Sequence, residues 1–203
     1  MDNRIQSKHL RKYFVSLNFR ADSSLSKKID GFKKRYDPKY RQRAFAHMSL
    51  LRPFEISLSE KNSLIDELKE ELDTFFFGHT SLKLGFCGVG VFQHKRSNVV
   101  FLRPDFSEDL SHCHELVTDI CKSFIPLNIK YRPNAFQFLP LGYFDDNESL
   151  ISVMDQAKLE FSKTGELSID SINLYEQING QWNKVETLIE FENSHDTFLQ
   201  LQV

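Results

Sequence analysis

The chain has 203 residues, 40% of them hydrophobic, and a formal net charge of −2, which suits one domain or two small lobes sharing a cleft. No apolar run approaches the roughly 20 residues that span a bilayer, and the N-terminal MDNRIQSKHLRK lacks a signal-peptide core. Three cysteines, Cys87, Cys113 and Cys121, without CxxC spacing, argue for a reduced cytoplasmic protein.

The small net charge conceals an asymmetry. Residues 1–53 hold 14 Lys+Arg against 4 Asp, and residues 54–203 hold 12 against 24 Asp+Glu. The densest basic run, Lys27 to Arg43, either attracts a polyanion such as RNA or forms a solvated helix face and loop. The acidic remainder argues against broad coating of nucleic acid.

In chain order, Tyr13–Phe19 (YFVSLNF) is aromatic and β-branched and predicts a strand. Leu25, Ile29, Phe32 and Tyr36 fall at helical spacing behind Ser23 or Ser24 as a cap. Ala44–Leu51 predicts a second strand stopped by Pro53. Ser59 opens a helix with Leu64, Leu68, Leu72 and Phe75 on one stripe. Leu82–Phe92 and Asn98–Leu102 predict a hairpin around the basic loop His94–Arg96, with glycines at bends or bulges. Ser107 caps another amphipathic helix. Ala135–Phe144 is a strand candidate weakened by Pro140, a helix follows over 148–161, and Asn179-Gly180 joins two final strands in a type I′ turn. The order implies an α+β protein.

The segment with most chemistry is Arg43–Phe54, RAFAHMSLLRPF. On a strand, His47 and Ser49 face one side and Met48 and Leu50 the other. A histidine beside a hydroxyl can couple proton transfer to a hydrogen bond with a phosphate oxygen. Taken alone the pair is a weak signal, because a lone histidine on a half-buried strand is more often structural.

AHMSLLRPF resembles the first H-x-[ST] motif of the two-histidine (2H) phosphoesterases, the superfamily of the 2'-5' RNA ligases. YFVSLNF is similar to that family's opening strand and LGFCGVGVFQHKRSNVVFL to the hairpin between its two motifs. SIDSINLYEQINGQWNKVETLIEF is similar to its closing strands, where Tyr-Glu precedes a turn. The resemblance implies one bilobal domain over residues 1–203, with two antiparallel sheets and outer helices around a central cleft. It also implies activity on 2',3'-cyclic phosphates or 2'-5' linkages in RNA or nucleotides. One histidine would take a proton and the other return it to the leaving oxygen, while the two hydroxyls hold the phosphate. No metal or other cofactor is implied, and the expected state is a monomer.

The second motif departs from the pattern. Gln137–Phe144 (QFLPLGYF) resembles the family's proline-His-x-Thr-leucine-glycine stretch, and alignment on Leu141-Gly142 puts Phe138 at the histidine and Pro140 at the threonine. Phe138 carries no proton, and Pro140 lacks both hydroxyl and N–H. No His, Ser or Thr lies between residues 124 and 148. Tyr143 and Arg52 occupy positions where family members carry basic or aromatic residues. A phenol with a pKa near 10 is a reluctant acid–base group, and odd-even counting turns Arg52 away from His47 unless Pro53 bends the strand. Loop residues His79 and His94 are further substitutes. The His112-Cys113-His114-Glu115 cluster has metal-binding residue types, but on a helix residues two apart diverge by about 200°.

The leading expectation is therefore a 2H-fold protein with catalytic-type His47 and Ser49 and with Arg52, Phe138 and Tyr143 as ligand contacts. It would bind an RNA or nucleotide phosphate, and its hydrolysis would be lost or much reduced. Phe138 would either stack a nucleobase or fill the space of the missing histidine. The alternatives are an active 2',3'-cyclic phosphodiesterase with a non-standard second acid, and a non-enzymatic interaction protein.

Overall fold

The computed structural model describes residues 10–40, 47–93, 98–126, 137–163 and 165–191. In chain order the elements are β1 (Leu10–Phe19), α1 (Ser24–Tyr36), β2 (His47–Ser49), β3 (Phe54–Ser57), α2 (Lys61–Phe75), β4 (Leu82–Phe92), β5 (Asn98–Asp105), α3 (Glu108–Phe124), β6 (Leu139–Phe144), α4 (Asn147–Glu160), β7 (Glu166–Ile178) and β8 (Gln181–Glu190). None of the described helices is long and apolar enough to cross a membrane.

Local chemistry sets the helix starts. Ser23 accepts from Ser26 N at 3.0 Å, Ser107 from Leu110 N at 3.3 Å and Asp146 from Ser149 N at 2.7 Å, each satisfying an orphan donor of a first turn. The helix expected from Ser59 begins with a 3₁₀ turn over Leu58–Glu60, capped by Ser57, and becomes α-helical at Lys61. Asn179 and Gly180 have φ of 51° and 80°, the two left-handed residues that a type I′ hairpin requires.

All strand pairs are antiparallel, in the order β2-β1-β7-β4-β5-β6, with β3 on β1 beyond β2 and β8 on β7. The two expected sheets are thus continuous. The seam is a short ladder in which Leu82–Gly85 of β4 pairs with Ile169–Glu166 of β7. From Ser171 onward that edge of β7 belongs to β8, so β7 carries both halves of a curled sheet.

Strand alternation assigns the faces. Tyr13, Val15 and Leu17 of β1, with Ile172 and Leu174 of β7, join the apolar core beside Ile29 and Phe32 of α1 and Leu64, Leu68 and Leu72 of α2. Phe14, Ser16 and Asn18 point the other way, paired with Tyr175, Asn173 and Ser171.

Three boundaries differ from the sequence reading. The strand expected over 44–51 is seen at His47–Ser49, residues 41–46 lying outside the described residues. After Pro53 the chain regains pairing with β1 as β3, an element that four residues (FEIS) were too few to announce. The strand expected from Ala135 begins at Leu139, with residues 127–136 outside the described residues. Pro140 fits within it because β6 ends the sheet order among the described residues, and an edge strand tolerates a residue without N–H.

Candidate functional site

Pairing with β1 places the HxS segment. His47 opposes Asn18, Met48 opposes Leu17, and Ser49 opposes Ser16. Met48 is fully buried in the core, whereas His47 and Ser49 are half-buried on the other face. Immediately afterwards the N–H groups of Leu50 and Leu51 both donate to the Val15 carbonyl, at 2.9 and 3.3 Å, which ends the regular ladder.

At the other end of the sheet, β6 pairs with β5 through Val99↔Tyr143, Val100↔Gly142 and Phe101↔Pro140, with an irregularity that leaves Leu141 unopposed. Such a bulge resets the alternation. Pro140 and Tyr143, three residues apart, consequently line the same cavity as His47 and Ser49, while Leu139, Leu141 and Phe144 enter the core. The cleft has a volume of about 280 Å³, and Phe14, Lys33, Pro53 and Trp182 complete its lining. Gln137 closes the gap between the sheet ends, its Nε2 donating to Leu50 O at 2.8 Å.

One wall is aromatic. Phe14 stacks on Tyr175 with centroids 4.9 Å apart, and Trp182 meets Phe14 edge-on at 4.7 Å. The His47 ring lies 5.7 Å from Phe14 and 6.5 Å from Tyr175, so the imidazole is held against this wall. Below it Ser16 Oγ donates to Asn18 Oδ1 at 3.1 Å, and Asn18 Nδ2 donates to the Tyr175 hydroxyl at 3.0 Å. Burial raises the Tyr175 pKa, with the Asn18 hydrogen bond opposing it, so Tyr175 is a neutral phenol at pH 7. The adjacent Glu176 points to the opposite face, where Lys61 lies at 3.2 Å and Arg11 at 4.0 Å. Alternation thus gives the Tyr-Glu pair two separate tasks: Tyr175 braces the cleft and Glu176 anchors α2.

The basic run also divides by face. Arg35 reaches both carboxylate oxygens of Glu160 at 2.8 and 2.7 Å, and Lys28 donates to the Glu160 carbonyl, so part of the run ties α1 to α4. Lys33, on the other side of α1, is only 6% exposed and borders the cleft. Asp37, one turn later, is equally buried, and its Oδ1 accepts from the N–H groups of Lys39 at 3.0 Å and Tyr143 at 3.4 Å. None of the described residues lining the cleft is acidic.

A family model described as the 2'-5' RNA ligase superfamily matches residues 21–181. The chain belongs to the 2'-5' RNA ligase superfamily. Among solved structures, Escherichia coli LigT complexed with 3'-AMP aligns at a TM-score of 0.54 and 13% identity, over 88% of this chain and 97% of that one. Kluyveromyces marxianus Usb1 aligns at 0.52 and 15%, over 85% and 96%. Usb1 with uridine monophosphate gives 0.52 and 14%, over 88% and 98%. At these identities the likeness is one of fold. Among curated proteins no sequence matches.

The superfamily fold therefore brings His47, Ser49 and Tyr143 to one cleft, with Pro140 among them. Arg52 is exposed and outside that lining. Phe138 is half-buried and packs on Phe92 and Phe101, with centroids 5.4 and 5.1 Å away, instead of lining the cleft. His79 is exposed and edge-on to Phe76, and His94 lies outside the described residues. His112 is exposed. His114 shares a 3.4 Å hydrogen bond with Thr118, and burial lowers its pKa.

Sequence reasoning passed over Lys33, Phe14 and Trp182 as site residues. For Lys33 a signal existed. It follows Ile29 by four residues, so the buried stripe of α1 carries a lysine where the pattern asks for an apolar residue.

Proposed function

We propose that the cleft binds the phosphate of an RNA end or nucleotide, of the 2',3'-cyclic or 2'-5' type, and that its phosphodiester hydrolysis is lost or much reduced. The observation that carries this reading is the pairing of His47 and Ser49 with Pro140 and Tyr143 around one cavity in a 2'-5' RNA ligase superfamily fold. His47 offers proton transfer and Ser49 a donor to a phosphate oxygen. Pro140 offers neither, and Phe138, aligned with the second histidine, packs in an aromatic cluster. Removing one member of an acid–base pair costs roughly 10² to 10⁴ in rate, whereas binding needs only the donors and charge that persist. The ligands of the solved LigT and Usb1 structures, 3'-AMP and uridine monophosphate, support the ligand class.

The test is a titration of the whole chain with 3'-AMP and 2',3'-cyclic AMP, alongside a turnover assay on the cyclic nucleotide. Binding weakened by His47→Ala, with little turnover, is expected. Rapid hydrolysis abolished by His47→Ala would overturn the loss of activity, and absence of binding would overturn the ligand assignment.

Tyr143 supports a second reading, because its side chain borders the same cleft as His47. An active cyclic phosphodiesterase with Tyr143 as the second proton donor predicts turnover that both His47→Ala and Tyr143→Phe abolish.

A further inference from the structure

We infer that Trp182 is the nucleobase platform of the cleft, so that the site reads a nucleoside phosphate rather than a bare phosphate. The inference rests on the phosphate-binding reading above and assigns the part of the ligand which that reading leaves open. A nucleotide joins a charged group to a flat ring system, so its site needs polar donors at one end and an accessible aromatic face at the other. His47 and Ser49 form the polar end. Of the aromatic side chains lining the cavity, Phe14 is buried and Tyr143 half-buried, whereas Trp182 is 37% exposed. Phe138, the residue that motif alignment offers for stacking, is packed on Phe92 and Phe101 and lies outside the lining.

The fold delivers Trp182 to this position and holds it there. The type I′ turn at Asn179-Gly180 sets the register of the β7–β8 hairpin, pairing Ile178 with Gln181 and Gln177 with Trp182. Gln177 lies two residues after Tyr175, so alternation and cross-strand pairing put Trp182 on the face of the sheet that carries Tyr175 and Phe14. Phe14 meets the indole at 88°, and a perpendicular contact leaves at least one indole face clear of Phe14. Phe14 is backed in turn by Tyr175, stacked at 4.9 Å, so the platform rests on a buried aromatic layer. The His47 ring is 5.7 Å from Phe14, and Phe14 is 4.7 Å from Trp182, so a single ring separates the imidazole from the indole. The cavity of about 280 Å³ is at the small end of ligand sites. It suits the phosphate and sugar of one nucleotide, with the base at the mouth where Trp182 is exposed. A tryptophan has only two side-chain torsions to fix, so ordering it against a base costs little entropy.

The experiment measures affinities of 3'-AMP and inorganic phosphate for the wild type, Trp182→Leu, Trp182→Phe and the control Phe77→Leu. Phe77 is an exposed ring just after α2 and lies outside the cleft lining. Loss of one base stack corresponds to about a 5- to 150-fold change in affinity. Trp182→Leu is expected to lose that factor for 3'-AMP and to hold inorganic phosphate as the wild type does. Trp182→Phe should keep part of the factor, and Phe77→Leu should bind both ligands unchanged. Trp182 is the one tryptophan of the chain, so its fluorescence reports on the platform. Saturating 3'-AMP should quench it, and saturating phosphate should leave it close to the free value. An unquenched signal with 3'-AMP bound overturns the inference, and this readout decides should Trp182→Leu not fold, as judged by thermal melting. Intact 3'-AMP binding by a folded Trp182→Leu protein, or an equal loss of 3'-AMP and phosphate, overturns the role of Trp182 and leaves phosphate binding by the wild type standing. No binding of either ligand by the wild type removes both.

Discussion

Gln137 donates through Nε2 to the backbone carbonyl of Leu50 across 2.8 Å, a bond between residues 87 positions apart. The curled sheet ends in β2 on one side and β6 on the other, and this bond joins the segments that flank them. It links the segments that flank the His47–Ser49 strand and the strand of Pro140 and Tyr143, the two strands whose residues face each other across the cleft.

Gln137→Ala should therefore loosen the site more than the fold. The expected loss of stability is about 1 kcal/mol, the net value of a part-buried hydrogen bond. Amide exchange at Met48–Leu51 should accelerate and nucleotide affinity should fall. Unchanged exchange in that segment would show that the two edges are held by other contacts.

Tyr13 contributes to stability with a defined pH dependence. Its hydroxyl is buried without a hydrogen-bond partner among the described residues. Burial, reinforced by the Glu176 carboxylate and opposed by Arg11, raises its pKa to about 12. The unfolded tyrosine ionises near pH 10, so between about pH 10 and 12 the folded state binds more protons and stability falls as pH rises. Below pH 10 the contribution is fully present. Tyr13→Phe should be neutral or stabilising at pH 7, because it removes an unsatisfied polar group, and should reduce the loss between pH 10 and 12. Urea unfolding at pH 8 and pH 11 checks both.

Gly90 leaves space for an aromatic ring on the neighbouring strand. A Cβ there would come 2.4 Å from Phe101 Cζ, and Phe101 is itself packed against Phe92 and Phe138, at 5.0 and 5.1 Å. Gly90→Ala should destabilise by about 1–3 kcal/mol through overpacking. A second change, Phe101→Leu, should recover part of that loss, and a denaturant midpoint series measures the coupling. Simple additivity of the two changes would refute the ring contact as the cause.

Restoring the second motif should restore chemistry. Phe138→His with Pro140→Thr returns a proton carrier just before β6 and a hydroxyl within it, with a predicted gain on the order of 10²-fold in hydrolysis of 2',3'-cyclic AMP. The gain should vanish on adding His47→Ala. A folded double variant without turnover would mean that residue 138 cannot swing from the Phe92–Phe101 cluster to the cleft.

Much of the architecture was legible because it depends on near neighbours. Ser23 and Ser107 cap the helices they precede, Asn179-Gly180 adopts the turn its composition demands, and Leu64, Leu68 and Leu72 are buried as their spacing requires. The short β3 was not legible, since four residues carry too little periodicity to distinguish a strand from the end of a turn.

Within the cleft, the sequence alone determined the outward pairing of His47 and Ser49 around a buried Met48, and the ordered motifs that identify the superfamily. It also determined that residues 138 and 140 carry neither imidazole nor hydroxyl. Only the tertiary structure decided which residues accompany His47. A bulge at Leu141 turned Pro140 and Tyr143 to one side, the last turn of α1 delivered Lys33, and an aromatic cluster took Phe138. Alternation and helical spacing report a residue's face relative to its own element. Register shifts and helix placement depend on cross-strand and interlayer partners far away in the chain, so local pattern does not encode them.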